Sequence, residues 1–447
     1  FMKINFIKLL YEEENDMKKN KGITLVALVV TIVVLLILAG VSINLVLGNN
    51  GIIAKAKDAE TKSAEAREND LKGMNSLIEQ MESTLNGSGN GGKTEPETVP
   101  YLPSDDFHYD TSTSIDTGLV IKDANGNEYV WVVVPRTIAV YKTTGLGKTT
   151  FTDADYTSIE NDLKEYTKTY RGSTSYSDTY TADDKNVGWF ADATAYNNLK
   201  NSMLKSVYEN GGFYVGRYEA GIDTTTGTNR TSNTDKNSDG KYTMPSTVPV
   251  TKADAYPYTY VTRTQAQNLA SKVNAGTKTI SLMFGVQWDL VLAFMSKDTT
   301  KVNQENLKEL ISDSTTIGNY YNSTFQLSQT GQYAVYSNYS LSSTWNPSTK
   351  STTNFVDSSR NKIAQSSNRN GILVTTGTSE TNKVMNIYDI AGNVDEWTLE
   401  SPSSDINQCA SRGGSYFDTG SNNPAALRVG SDSVLSINRI GFRVSLF

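Results

Sequence analysis

An uncharged apolar run covers residues 23–47 and is the dominant hydrophobic stretch of the chain. At a rise of about 1.5 Å per residue, a helix over this run has a length of roughly 37 Å. The hydrocarbon core of a bilayer is about 30 Å thick, so such a helix is long enough to cross it. Three lysines, Lys18, Lys19 and Lys21, precede the run, which predicts that the short leader stays in the cytoplasm.

A second helical pattern follows the turn GNNG at residues 48–51. The segment is rich in Ala, Glu and Lys, which favour helices. Its apolar residues recur at spacings of three and four, which predicts one apolar face on a continuing helix. These residues are Leu71, Met74, Leu77, Ile78, Met81 and Leu85. We therefore expect one extended helix over residues 23–86, followed by a flexible Gly/Pro linker over residues 87–113.

From residue 114 the pattern changes to short strands separated by frequent turns. Residues 118–135, GLVIKDANGNEYVWVVVP, predict two strands around the Asn-Gly turn at 125–126. Residues 211–221, GGFYVGRYEAG, predict a further strand with a charged end.

Two segments of this region predict helices, residues 259–273 and residues 281–295, and Trp288 anchors the second. Between the strands and helices lie polar tracts that are dense in Thr, Ser, Asn, Asp and Tyr. We expect them to be long surface loops on a shared scaffold. The tracts cover residues 143–186, 222–248 and 297–366.

Charge and composition exclude several classes of function. The net charge of −7 would repel a polyanion, so a nucleic-acid partner is not expected. With one cysteine, Cys409, and one histidine, His108, the chain can form neither an intrachain disulfide nor a Cys/His zinc cluster. The 25 tyrosines among many short polar residues suit an extracellular binding surface, although many secreted β-rich proteins share this composition.

The start of the apolar run carries a resemblance. Basic residues, then Gly22, then ITLVALVVTIVV resemble the class III signal of type IV pilins and pseudopilins. The resemblance implies that a prepilin peptidase cuts residues 1–22 away after Gly22 and that Ile23 becomes the methylated N-terminus. That family usually has Glu at mature position five, where this chain has Ala27, which argues against polymerisation as a major subunit. A plain signal anchor is the alternative.

The distal region resembles the formylglycine-generating enzyme (sulfatase-modifying factor) family, a branch of the C-type-lectin-like fold. The motifs that carry the resemblance occur in the family's order: GGFYVGRYEAG, SLMFGVQWDLVLAFM, IYDIAGNVDEWTLE, RGGSYFD and the terminal GFRVSLF. The resemblance implies an α+β domain with a small antiparallel core and long loops over residues 114–447. Within it, Trp288 and Trp397 are expected in the core, and Arg412 and Arg443 are expected to be buried pairing residues.

The segment DIAGNVDEW concentrates oxygen donors, the ligands that calcium prefers. The resembled family holds a calcium ion at this loop. Carried over residue by residue, the resemblance assigns calcium to the side chains of Asp389 and Glu396 and to the carbonyl oxygens of Gly392 and Val394. The alternative is a surface turn with solvated carboxylates. A second stretch, DKNSDG at 235–240, matches half of an EF-hand loop but lacks its bidentate Glu, so a solvated turn is predicted there.

The resembled enzymes oxidise a sulfatase cysteine with copper held by two thiolates just after the GGSY turn. Counted from Gly413, those positions hold Asp418 and Asn423. Neither can hold Cu(I), which requires soft sulfur ligands. Cys409 lies on the other side of the turn and has no partner cysteine. We therefore expect no copper and assign no catalytic residue.

In retroelement-diversified receptors, which this domain also resembles, the span between GGS and GFR forms the binding face. Aromatic and amide groups in this span favour protein or glycan ligands. The alternative is that these residues only complete the fold. The resemblance assigns the candidate ligand surface to Tyr416, Phe417, Asp418, Asn422, Asn423, Arg428, Ser431, Asp432 and Asn438.

The sequence thus predicts a bacterial, membrane-anchored surface protein whose inactive lectin-fold domain binds a ligand or mediates adhesion. Its expected partners are the prepilin peptidase, the membrane, pilus or pseudopilus subunits, and an unidentified protein or glycan. Two alternatives stay open. One is an oxidoreductase or other enzyme on the same scaffold, for which Glu219, Asp395 and Asp418 are the suggestive acids. The other is a structural pseudopilin with a passive head.

Overall fold

The computed structural model describes most of the chain beyond residue 100. The described residues are 29–33, 100–171, 175–324, 327, 330–337, 340–341, 344–347, 371–402 and 408–447. The chain divides into two compact units, residues 1–93 and residues 94–447. In the first unit, residues 29–33 are helical. The processing site at Gly22 and the rest of the predicted helix lie outside the described residues.

Over the ranges that the structure describes, no helix is both long and apolar enough to cross a membrane.

The strands of the second unit are short and are numbered along the chain. The first ten are β1 (His108–Tyr109), β2 (Val120–Lys122), β3 (Glu128–Val133), β4 (Tyr176–Ser177), β5 (Gly212–Gly216), β6 (Gly221–Ile222), β7 (Tyr256–Pro257), β8 (Ile280–Leu282), β9 (Gln332–Ser337) and β10 (Ser340–Leu341). The later ones are β11 (Asn346–Pro347), β12 (Gly371–Val374), β13 (Lys383–Val384), β14 (Ile387–Tyr388), β15 (Asp395–Trp397), β16 (Ser401–Pro402), β17 (Cys409–Arg412), β18 (Arg428–Ser431), β19 (Ile440–Phe442) and β20 (Val444–Leu446).

Helices are interspersed among these strands. The α-helices are α1 (Asp153–Tyr166), α2 (Ala193–Asn210), α3 (Arg263–Ala270), α4 (Gly285–Met295) and α5 (Lys308–Ile311). Among the described residues, 3₁₀ turns cover Ile115–Thr117, Lys168–Tyr170 and Glu380–Asn382. The prediction of a mixed helix-and-sheet domain is confirmed.

A six-stranded antiparallel sheet forms the base of the domain, in the order β1-β2-β3-β5-β20-β8. The predicted hairpin around residues 125–126 is its β2–β3 corner. Asp123 builds this corner, because its Oδ1 accepts hydrogen bonds from the main-chain N–H groups of Asn125 and Asn127 at 2.9 and 2.7 Å. The C-terminal strand β20 inserts between β5 and β8, so the end of the chain closes the main core.

A second sheet carries the predicted motifs, in the order β18-β17-β15-β19. Strand β15 contains the Glu-Trp pair of the DEW segment and runs parallel to β19, while its pairing with β17 is antiparallel. A third sheet joins β9 to β10, β11 and β12. Trp288 and Trp397 are fully buried in the main hydrophobic core, as predicted.

One boundary differs from the sequence prediction. Residues 100–113 belong to the domain and not to the linker, because Phe107 is buried and β1 pairs with β2. Tyr101 packs edge-on against Trp131 at 5.6 Å between ring centroids. The domain therefore begins at or before residue 100. Its start is set by the apolar side chains of this segment, which pack into the core, and not by the linker-like composition.

The first polar tract, residues 143–186, is not only a loop, because α1 lies within it. Thr152 and Asp155 cap its N-terminus, where the Asp155 carboxylate accepts a hydrogen bond from the Thr152 N–H at 2.8 Å. Ile159 and Leu163, one turn apart, bury the inner face of the helix.

The stretch DKNSDG forms the expected turn, in which Asn237 Oδ1 accepts from two main-chain N–H groups.

Candidate functional site

The loop between β14 and β15 is wound tightly and defines one wall of the candidate site. Asp389, Gly392 and Asn393 all have positive φ angles, of 56°, 71° and 58°. The loop is tied to its neighbours by main-chain hydrogen bonds, from Gly392 N to Gly413 O at 2.9 Å and from Asn393 N to Asn319 O at 2.8 Å. The position of Gly392 requires glycine, because a Cβ there would collide with the main chain of Asn319.

Glu219 fixes this loop from beneath. Its side chain is fully buried, and its carboxylate accepts hydrogen bonds from Asn393 Nδ2 at 2.6 Å and from Val394 N at 3.1 Å. Burial, with the nearby charges of Asp389 and Glu396, raises the pKa of Glu219 well above its usual range. Glu219, the acid of the motif GGFYVGRYEAG, is therefore a buried support of the loop and does not face solvent.

Arg443 binds the Glu396 carboxylate, one of the two that are expected to hold calcium, and the main-chain carbonyl oxygen of Asp389, which carries the other. Its guanidinium donates to Glu396 Oε1 at 2.6 Å and to the carbonyl oxygens of Tyr388 and Asp389 at 2.8 and 3.2 Å. Burial raises the pKa of Glu396 to about 7, and the Arg443 charge opposes this rise. The prediction that Arg443 is a buried pairing residue is confirmed.

The Asp389 carboxylate is also occupied, because it accepts from Gly377 N at 2.9 Å and from Asn382 Nδ2 at 3.3 Å. Over the described ranges, no group of three or more His, Cys, Asp or Glu residues could hold a metal ion. Neither carboxylate is solvated, so the alternative of a surface turn is wrong. In this arrangement the loop does not fit a calcium ion unless Arg443 moves, and calcium here stays a prediction of the resemblance.

The RGGSY turn forms the opposite wall. Gly413 and Gly414 have φ angles of 93° and 72°, and a side chain at Gly414 would collide with Asn423. The hydroxyl of Tyr320 lies 2.7 Å from Gly413 O and 2.8 Å from Asn423 O, so it joins the turn to the next loop. Trp288 of α4 donates from Nε1 to Ala425 O at 3.0 Å and holds the same loop from the core side.

Two acidic residues near these walls, Asp395 and Asp418, influence each other electrostatically. Asp418 Oδ2 accepts hydrogen bonds from Ser415 N at 3.1 Å and from Ser415 Oγ at 2.6 Å. Asp395, at the start of β15, is buried. Burial first, and the neighbouring charge of Asp418 second, raise the pKa of Asp395 well above its usual range. Arg439 is the positive charge that opposes this effect.

Comparison with known proteins identifies the scaffold. Residues 186–446 match the sulfatase-modifying factor enzyme 1-like domain. The chain belongs to the sulfatase-modifying factor family. No curated protein matches the chain significantly.

Two solved structures are similar at low identity. Treponema denticola variable protein 1 is 13% identical with a TM-score of 0.26, covering 53% of this chain and 84% of that chain. The structure titled "Crystal Structure of CarF" is 13% identical with a TM-score of 0.27, covering 61% of this chain and 95% of that chain.

The resemblance assigns the family's oxidising thiols to the positions of Asp418 and Asn423. The Asp418 side chain and the Asn423 main-chain carbonyl oxygen take part in the internal bonding just described. The single cysteine of the chain, Cys409, is buried in β17, where its Sγ donates to Ser431 O at 3.1 Å. Burial raises the pKa of the Cys409 thiol to about 11. At neutral pH it is therefore a neutral thiol without a second cysteine, and these residues do not fit a copper ion.

Arg428 corrects the predicted ligand surface. Its guanidinium is buried and donates to Asp289 Oδ1 and Oδ2, both at 2.7 Å, and to Glu400 Oε2 at 2.7 Å. Arg412 shares the same two carboxylates, at 3.0 and 2.6 Å. Arg171 adds a third cation, 3.0 Å from Asp289 Oδ2. Three arginines and two acids thus form a cluster that joins β17, β18 and α4, and Arg428 cannot reach a ligand without breaking it.

Tyr416 and Ser431 are also buried, which removes them from an exposed surface. Tyr416 lies in a small hydrophobic cluster with Leu373 and Val394, and Ser431 pairs with Cys409 across β17 and β18. The other six predicted residues keep exposed or half-exposed side chains. They are Phe417, Asp418, Asn422, Asn423, Asp432 and Asn438.

Sequence reasoning missed three contributors to this region. Trp345 packs on the small hydrophobic cluster, and Arg439 lies over the ring of Phe417 at 4.5 Å from its centroid. Asp289 was not singled out, although it is the acid on which Arg412 and Arg428 converge. The sequence offers one signal for Asp289, which is an isolated acid in the otherwise apolar segment VQWDLVLAF of α4. Such an acid is expected to be buried with the helix, and a buried charge needs a partner.

Proposed function

We propose that this chain is a cell-surface protein whose sulfatase-modifying-factor-like domain binds a protein or glycan ligand by contact, without oxidising a thiol. One feature supports the proposal: the resemblance places Asp418 and Asn423 at the positions of the family's thiols, and the Asp418 side chain bonds within the scaffold to Ser415. The oxidation needs two thiolates at one copper ion, and the chain has one cysteine.

The remaining exposed face supports contact binding. Asn422 and Asp432 are exposed, and Phe417, Asn423 and Asn438 are half-exposed, so the loops after the RGGSY turn offer amide, acidic and aromatic groups together. Such groups are typical of polar, adaptable recognition surfaces. Beneath them, the Tyr320 and Trp288 contacts fix the loop backbone, which lowers the entropy lost on binding.

The N-terminal sequence supports the display part of the proposal. We infer that a prepilin peptidase cleaves after Gly22, that Ile23 is methylated, and that residues 23–47 anchor the protein among pilus or pseudopilus subunits. Mass spectrometry of the N-terminal peptide from cells with and without the peptidase tests this part. A mature N-terminus other than methyl-Ile23 contradicts it.

Array binding tests the ligand-binding part. The full-length chain is applied to glycan and protein arrays together with two variants, one in which Asn422 and Asp432 are changed to Ala and one in which Glu209, an exposed residue of α2, is changed to Gln. We expect a specific signal that the first variant loses and the second keeps.

Two results contradict the proposal. Absence of binding by the native chain favours a passive structural head. Conversion of a cysteine-containing sulfatase peptide to the formylglycine product, with oxygen consumed, favours the enzyme.

A further inference from the structure

The segment that follows β3 carries two buried hydrogen-bond donors without an acceptor. The side chain of Tyr141 is 0% exposed, and its hydroxyl group forms no hydrogen bond. The Nε–H group of Arg136 is also buried without a partner, while the rest of that side chain is half-buried. No acid among the described residues forms an ion pair with Arg136. Native proteins leave few buried donors unpaired, so these two need a physical reason.

Arg136 and Tyr141 flank a single turn and act on each other. The Tyr141 N–H donates to Thr137 O at 2.9 Å, which winds the chain into one turn between the two side chains. Burial raises the pKa of Tyr141 above its usual range, and the Arg136 charge is the largest charge effect on that hydroxyl and opposes the rise. A cation thus acts on a buried hydroxyl group that has no hydrogen-bond partner.

The acid that acts on the Tyr141 hydroxyl is already engaged. Asp162 of α1 is buried, and its carboxylate accepts hydrogen bonds from the main-chain N–H and hydroxyl groups of Thr143 and Thr144 at 2.8 to 3.1 Å. These bonds hold the carboxylate at the segment that follows Tyr141. Asp162 therefore pairs with neither Tyr141 nor Arg136.

The tyrosine that packs on Tyr141 is engaged as well. Tyr208 of α2 lies edge-on against it, with 5.0 Å between the ring centroids. The hydroxyl group of Tyr208 donates to Gly145 O at 3.0 Å and accepts from Lys148 N at 3.1 Å. Neither this tyrosine nor the acid of α1 supplies the acceptor that Tyr141 and Arg136 lack.

Two unpaired donors, one of them on a cation, match an acceptor that carries negative charge. We propose that Arg136 and Tyr141 bind a carboxylate group of a protein partner. The guanidinium fork matches the two oxygens of a carboxylate, and charge-assisted hydrogen bonds of this kind are roughly twice as strong as neutral ones. A water molecule would pair the donors but would leave the charge of Arg136 without a counter-ion.

The apolar surroundings favour a protein over an acidic sugar. Ile138 lies in the same turn and is 59% exposed, the largest exposed fraction of any large apolar side chain among the described residues. An aspartate or glutamate with an apolar neighbour covers Ile138 and neutralises Arg136 together. A sugar acid carries hydroxyl groups around its carboxylate and gains little from contact with Ile138. This site goes beyond the proposed function, because neither Arg136 nor Tyr141 belongs to the surface at residues 416–438.

Short peptides that match this chemistry test the proposal. The full-length chain is titrated with N-acetyl-leucyl-glutamyl-leucine amide, with the same peptide carrying glutamine in place of glutamate, and with glucuronate. Binding is followed by NMR or calorimetry. We expect the glutamate peptide to bind roughly tenfold or more tightly than the glutamine peptide, which corresponds to about 1.4 kcal/mol, and more tightly than glucuronate. Equal binding of the two peptides, binding of neither, or tighter binding of glucuronate overturns the proposal.

Tyr141→Phe removes only the hydroxyl group. Because that group has no internal partner, we expect the melting temperature to be kept and the affinity for the glutamate peptide to fall by roughly fivefold or more. Tyr196→Phe is the matched control, because the buried Tyr196 hydroxyl donates to Leu399 O at 2.7 Å. That change should lower the melting temperature and leave peptide binding unchanged. A lower melting temperature for Tyr141→Phe with unchanged peptide binding overturns the proposal.

Arg136→Gln removes the positive charge and should abolish the preference for the glutamate peptide. Lys142→Gln removes an exposed positive charge from the same segment and should keep that preference. Equal losses in the two variants show a general effect of charge and overturn the proposal.

The array experiment of the proposed function fails independently of this one. Array binding that depends on Asn422 and Asp432, without a preference for the glutamate peptide, leaves the proposed function standing and removes the carboxylate site. A glutamate preference that Arg136→Gln abolishes, without any array binding, does the reverse.

Discussion

Arg443→Met removes a guanidinium that several parts of the domain share, while keeping most of the aliphatic length of the side chain. Arg443 donates to Glu396 at 2.6 Å and to the carbonyl oxygens of Gly216 and Tyr388 at 2.9 and 2.8 Å. These contacts join β5, β14 and β15 to the C-terminal segment. The substitution should therefore destabilise the fold and not only one loop.

The expected loss in the free energy of unfolding follows from the groups that stay buried without their partner after Arg443 is replaced. Removing one partner of a buried ion pair costs about 3–5 kcal/mol, because the other charge stays buried and uncompensated. Here that charge is Glu396, which is 1% exposed. The carbonyl oxygens that lose their hydrogen bonds to Arg443 add to the cost, but the free-energy costs of neighbouring groups do not simply sum. We expect a loss of roughly 4 kcal/mol or more, a large part of an ordinary stability of about 5–15 kcal/mol.

Guanidinium chloride unfolding, followed by tryptophan fluorescence, measures this loss, since Trp131, Trp288 and Trp397 are buried in the core. Arg439→Met is the matched control, because Arg439 is half-exposed and its stacking on Phe417 is worth about 0.5–1 kcal/mol. The double variant Arg443→Met/Glu396→Gln removes the orphaned charge and should recover about 2 kcal/mol relative to Arg443→Met alone.

The pH dependence gives an independent check. Without Arg443, the folded-state pKa of Glu396 rises further above its value of about 7, so the folded variant binds a proton that the folded native chain releases. The stability deficit of Arg443→Met should therefore shrink as pH falls and grow as pH rises through neutrality. A deficit below about 1 kcal/mol, or a double variant no more stable than the single one, refutes the idea that this pair holds the loop.

Three further outcomes are expected. Calcium or a chelator should leave the melting temperature of the native chain unchanged, because Arg443 already neutralises Glu396; a calcium-dependent rise that Asp389→Asn abolishes would establish the metal instead. Cys409 should react with a thiol reagent only after denaturation, because the thiol is buried and its pKa is raised to about 11; rapid reaction of the folded chain would contradict its placement. Gly392→Ala should destabilise by several times the roughly 1 kcal/mol expected for the matched change Gly240→Ala, since both positions have positive φ but a side chain at residue 240 meets nothing within 4 Å; similar losses at the two sites would contradict the packing of the loop.

The sequence located the scaffold of the candidate site well, because its motifs are tied to strong local constraints. Three parts of the scaffold contain residues that tolerate few environments, and these parts could therefore be predicted. They are the apolar α4 with Trp288, the Gly-containing loop before β15 and the GGS turn. Their order along the chain predicts the family over residues 114–447, and the family comparison confirms it over residues 186–446. The helix α1 was missed because its buried face needs only Ile159 and Leu163, which a Thr- and Asp-rich stretch conceals.

The error at Arg428 has a specific physical origin. An arginine in the span between GGS and GFR is equally compatible with a binding face and with a buried pair, and the choice depends on strand register. In the structure, Arg428 of β18 lies directly opposite Arg412 of β17, so the two side chains project on the same side of the sheet. Arg412 was predicted to be buried, and this register therefore buries Arg428 as well, where Asp289 and Glu400 serve both. The register depends on a long connection between the two strands, which local pattern does not encode, and a one-residue shift would have turned Arg428 to the other face.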